Sequence, residues 1–156
     1  MMIRAVILWI HVLCGVLWVG ACATFVLATA ALSSEPDESR AFAIKVAGQI
    51  NRLCVPMAIA IPITGIGNLL FAVQARGSVL PAEFIGILAA KVGLLAVMAV
   101  GLFGAWRAVV VVEGPSPAGA CEVNVRRITA LYGLIVGSGI IALGLGVWLS
   151  GTQMNL

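Results

Sequence analysis

Two ionisable side chains, His11 and Lys91, stand inside otherwise apolar runs, where a charge is costly and marks a functional residue. His11 lies seven residues beyond Arg4, and Lys91 lies eight beyond Glu83. At about 1.5 Å per helical residue, both sit about 10 to 12 Å beneath one membrane face. Counting eight residues back from Arg76 reaches Asn68, so three polar side chains from three segments share one layer. A neutral imidazole is a good metal ligand, and a buried Lys is charged readily when its counter-ion arrives with a ligand. Two plainer readings stay open: an imidazole hydrogen-bonded between helices, and a Lys that snorkels towards the headgroups. His11, Gly15, Trp18 and Cys22 recur at i, i+4, i+7 and i+11, a single helical stripe in which Gly15 leaves room beside the ring.

The segments that must position these residues are set by the distribution of charge. Of 156 residues, 62% are hydrophobic and only 10% charged, against about 25% charged in soluble domains. Thirty residues separate Arg4 from Glu35, 23 separate Arg52 from Arg76, and 29 follow Arg127, all without a formal charge. Another 23 lie between Glu83 and Arg107, interrupted once by Lys91. Crossing a bilayer takes about 20 apolar residues, so each interval is long enough. The runs are continuously apolar rather than alternating, which favours helices over barrel strands. The expectation is an all-α, integral membrane four-helix bundle, a single domain over 1–156, with helices near 4–31, 53–75, 84–107 and 127–149. The first run extends past the Gly20-Ala21-Cys22-Ala23 string to Leu32, longer than a signal-peptide core, and reads as a retained helix.

Basic residues set the expected orientation. Arg40, Lys45 and Arg52 flank the first connection and Arg107, Arg126 and Arg127 the third, against Arg4 and Arg76 opposite. The positive-inside rule places 33–52 and 107–127 in the cytoplasm and both termini on the outer, periplasmic side of a bacterial inner membrane. Ser34-Glu35-Pro36-Asp37-Glu38 reads as a helix start, making 36–50 a cytoplasmic extension of the second helix that lays Phe42, Ile44 and Val46 along the headgroups. Pro56 and Pro62 predict a bend within it, and Glu113–Gly119 reads as a turn. Glycines 133, 137, 139, 144 and 146 give the fourth helix a small-residue surface, suited to tight packing or to a flat ligand. Cys14, Cys22, Cys54 and Cys121 form no C-x-x-C pair and read first as apolar packing residues. Cys54 and Met57, three apart, offer a weaker Cu(I) reading.

Leu8-Trp9-Ile10-His11 with Val16-Leu17-Trp18-Val19-Gly20, then Arg52, Ile63-Thr64-Gly65 and Ala90-Lys91, resembles the four-helix membrane domain of the copper-resistance protein D family. More distantly the pattern is similar to the small membrane protoporphyrinogen oxidase of bacteria, which is marked by a first-helix His and a third-helix Lys and associated with haem b. The resemblance implies His11 and Lys91 as the functional pair, with Trp18, Arg52 and Asn68 in support. It implies haem b as cofactor, His11 as metal ligand and Lys91 as catalytic or propionate-binding cation, with a quinone or porphyrin as small-molecule partner. One histidine cannot give two imidazole ligands to one haem, so the second ligand is Lys91, none, or a second chain. The alternatives are copper handling through His11, Cys14, Cys22 and Met98, and a cofactor-free accessory subunit of a larger membrane complex. Copper is thinly equipped, since the outward segments offer only Met1, Met2 and Met154. Nucleic-acid binding is not expected, because the cations sit at helix ends where the membrane explains them. Hydrolase chemistry is also disfavoured, because no acid shares the layer of the lone His.

Overall fold

A backbone in hydrocarbon has no water to pair with, so apolar runs of this length close their hydrogen bonds within themselves as helices. The computed structural model describes residues 2–32, 34, 36–76, 81–112 and 118–153. They form four helices: α1 (Met2–Ala31), α2 (Pro36–Arg76), α3 (Ala82–Val112) and α4 (Ala118–Gln153), with no strand among the described residues. Within them Met2–Ala31, Lys45–Ala75, Ala82–Val109 and Val125–Trp148 are each long and apolar enough to cross a membrane. The protein is a multi-pass, all-α membrane bundle.

The helices run further than the charge-free intervals. The second is helical from Pro36, as its capping residues suggest, and continues uninterrupted through Pro56 and Pro62. The fourth begins at Ala118 rather than near 127, taking Arg126 and Arg127 into the helix. Helical hydrogen bonding is indifferent to the membrane boundary, so charges end a span without ending a helix. The turn expected at Glu113–Gly119 falls mostly on residues 113–117, which lie outside the described residues. So do Met1, Met154 and the side chains of Ile44 and Cys121.

Around the bundle, α1 packs on α2 and α4, and α3 packs on α4 and α2. The diagonal α2 and α4 touch lightly, while α1 and α3 make no close backbone approach among the described residues. Small residues set the spacing, because lipid tails supply no hydrophobic force between helices and backbones must come close. A Cβ at Gly101 would meet Ile135 at 3.0 Å, one at Gly104 would meet Leu131 at 3.3 Å, and one at Gly139 would collide with Val19.

Packing is unequal along the bundle. The fully buried cluster includes Trp18, Cys22, Phe25, Ala47, Cys54, Leu102, Tyr132 and Ile135, all in one half. There Phe25 stacks on Phe42 at 6.2 Å and meets the Tyr132 ring edge-on at 4.7 Å. The Tyr132 hydroxyl donates to Asn51 Oδ1 at 2.8 Å, with the Ala47 carbonyl at 3.2 Å. In the other half, no residue of 2–17, 55–75 or 140–148 is fully buried. Trp9 and Trp148 are exposed at that end and Trp106 near the opposite one, as expected of residues at membrane interfaces.

The Gly139 notch generates a prediction. Val19 is β-branched and stiff, so Gly139→Ala forces a backbone shift and costs about 1–3 kcal/mol. Gly144→Ala meets open space and is neutral or slightly stabilising. Thermal unfolding of the two variants in detergent separates them.

Candidate cofactor site

Of the three residues expected to share a layer, the packing register brings His11 and Lys91 to one level and leaves Asn68 one turn away. Gly15 of α1 faces Leu143 of α4, so His11, one turn further along, is level with about residue 147. Lys91 of α3 reaches the same level, because a Cβ on Gly146 would lie 3.0 Å from its Nζ. His11 and Lys91 thus approach one level from diagonal helices.

The imidazole is held by α2. His11 Nδ1 lies 3.1 Å from the Ile61 carbonyl and 2.9 Å from Thr64 Oγ1. The Thr64 hydroxyl spends its own hydrogen on the Ala60 carbonyl at 2.7 Å, with the Ile61 carbonyl at 3.1 Å. A carbonyl only accepts, and the hydroxyl hydrogen is already engaged, so Nδ1 is the protonated nitrogen and donates to both oxygens. Nε2 is left with its lone pair and has no hydrogen-bond partner among the described residues. The ring rests against α2 where Gly65 has no side chain, its Cε1 3.4 Å from where a Cβ would stand. A metal-binding histidine is commonly fixed in this way, with one ring N–H on a backbone carbonyl and the other nitrogen free.

Lys91 is partly buried, and its ammonium has no ion-pair or hydrogen-bond partner among the described residues. An anion arriving in the layer would find a cation already there, backed by the α4 backbone at Gly146.

The other expected residues are dispersed. Asn68 is partly buried and lies one turn outward of Thr64, near the level where Ile7 meets Gly67, so Thr64 and not Asn68 holds the imidazole. Trp18 shares the stripe of His11 but is fully buried two turns deeper, in the packed half. Arg52 is exposed and nine residues from Ile61, about 13 Å along the helix. Cys14 is partly buried and Met98 buried, but the described residues hold no group of three His, Cys, Asp or Glu side chains suited to a metal ion. The residues to which sequence reasoning gave no site role are Thr64, noted only within Ile63-Thr64-Gly65, and the Ile61 carbonyl. Their signal was faint: a threonine one turn inside the Asn68 layer, next to a glycine that lets another helix approach.

No protein-family model, no curated protein and no solved structure matches this chain.

An unpaired ammonium in this layer is a cost to the fold rather than a support. Lys91→Met, of similar length and apolar, should therefore raise stability by about 1–3 kcal/mol. Thermal unfolding in detergent without added ligand checks this, and a loss of stability would make Lys91 a structural residue.

Proposed function

We propose that this protein is a redox protein of a bacterial inner membrane that holds haem b between α1, α3 and α4 for electron transfer or porphyrinogen oxidation. The observation that carries the reading is His11: its Nδ1–H is spent on Ile61 and Thr64, and Nε2 is kept as a free acceptor. The residues fit the group in three respects. One imidazole has a nitrogen free that would bind the iron, one cation in the same layer would hold a propionate, and both lie in the loosely packed half of the bundle. When bound, haem supplies reversible one-electron chemistry at its iron.

The chain's own residues do the rest. Ile61 and Thr64 fix the imidazole plane and its tautomer, and Lys91 attracts and neutralises a carboxylate. Gly146 lets that ammonium lie against the helix backbone. With a single histidine, any second protein ligand to the iron would have to be Lys91 or come from a second copy of the chain. A quinone is the natural electron acceptor for such a site within the lipid phase. The six basic residues near the 33–52 and 107–127 ends support a cytoplasmic placement of that side and outer termini.

The test is an ultraviolet-visible spectrum of detergent-purified protein before and after dithionite, with metal analysis of the same sample. A reduced b-type spectrum is expected, lost in His11→Ala and retained at lower haem occupancy in Lys91→Met. A colourless wild-type protein containing copper, or one containing neither, would overturn the haem assignment.

A further inference from the structure

At the packed end of the bundle, charge gathers that the His11 layer does not use. Gly101 of α3 faces Ile135 of α4 and Gly104 faces Leu131, so these two helices pack antiparallel along a close seam. Arg107 lies three residues beyond Gly104, and Arg127 lies four before Leu131. Those steps carry them about 4.5 and 6 Å past the Gly104 to Leu131 contact in one direction, to a common level. Leu102, Ala105, Ile128 and Tyr132 are buried on the core side of the seam, whereas both arginines are exposed. Each is a near neighbour on its own helix of the residue it is counted from, so both flank the seam on its lipid-facing side. Trp106 is exposed beside Arg107 and marks the headgroup level. The Arg107 guanidinium stands 5.9 Å from the centre of the Phe103 ring, and neither arginine has an acidic partner among the described residues. Towards the middle of the membrane, Val100, Phe103 and Leu134 are exposed to hydrocarbon.

We propose that this seam is a binding site for one acidic phospholipid, its phosphate held between Arg107 and Arg127 and an acyl chain lying along Val100, Phe103 and Leu134. A guanidinium presents paired N–H donors that match phosphate oxygens, and two of them from two helices clamp one headgroup. Charge selects the lipid. A zwitterionic headgroup sets its own ammonium against the arginines, whereas an acidic one brings them an uncompensated negative charge. This assignment is independent of the haem reading, since it uses no residue of the His11 layer.

The full chain, purified in detergent, is titrated with phosphatidylglycerol and separately with phosphatidylcholine of the same acyl chains, and bound lipid is counted by native mass spectrometry. At about fivefold per arginine, one phosphatidylglycerol should bind roughly 25-fold more tightly than phosphatidylcholine. That preference should fall about fivefold in Arg107→Gln and again in Arg127→Gln. Lys45→Gln, which removes an exposed cation of α2 near the same end, should leave it unchanged. Inorganic phosphate at the lipid's concentration should not displace the bound lipid. Equal binding of the two lipids by the wild-type chain would overturn the proposal whatever the variants do. So would an equal loss in Lys45→Gln, the mark of diffuse attraction to a basic surface, or displacement by inorganic phosphate, the mark of a site for a free anion.

Discussion

In hydrocarbon, a polar group that is not paired within the protein is not paired at all, and this constraint decides most of the molecule. It makes every span a helix, and it turns hydroxyls back on their own helix. Thr24 donates to the Gly20 carbonyl, and Thr29 is hydrogen-bonded to the carbonyls of Phe25 and Val26. Polar contacts that do cross between helices therefore mark positions where pairing could not be local. His11 reaches α2 in the outer layer, and Tyr132 ties α4 to Asn51 of α2 in the packed half. Groups that remain unpaired, such as Lys91 Nζ and Trp18 Nε1, stand out against that economy.

The same constraint explains why the two halves differ. Without a hydrophobic drive between helices, close packing depends on small residues that let backbones meet. Ala43, Ala47, Ala105 and Ala108 line the packed half and are almost fully buried. The other half has glycines too, but Gly86, Gly93 and Gly144 face open space, so small size alone did not bring helices together. What distinguishes the loose half is its polar layer. An imidazole and an ammonium resist dehydration against apolar neighbours, and helices that close over them gain little.

Much of this was legible in the sequence, and the rest fails for identifiable reasons. The number of helices follows from charge-free intervals, because a charge in the bilayer is costly enough to be rare. Helix ends such as Pro36 and Ala118 do not follow, because a helix continues into water at no penalty. The shared depth of His11 and Lys91 follows from rise per residue alone. The depth of α2 does not, because it depends on how that helix slides against α1: Asn68 comes to lie one turn away, and Thr64 on nearly the same face meets the imidazole. The facing of α2 is set by its glycines, Gly65 against His11 and Gly67 against Ile7, and that choice is made only when two helices pack.

The stripe His11, Gly15, Trp18 and Cys22 shows how the loose half keeps a precisely placed ligand. A residue advances about 100° around a helix, so turning α1 enough to swing His11 away from the Ile61 carbonyl turns every residue of that stripe. Val19 would leave the notch at Gly139, and Trp18 and Cys22 would leave the core. The orientation of the imidazole is thus enforced by close packing about 12 Å deeper, along a helix that transmits rotation as a rigid rod. Rigid support from a distance is what lets a site stay open to a ligand and still be preorganised for it. In this bundle the packed half fixes the geometry, and the loose half holds the imidazole and the ammonium.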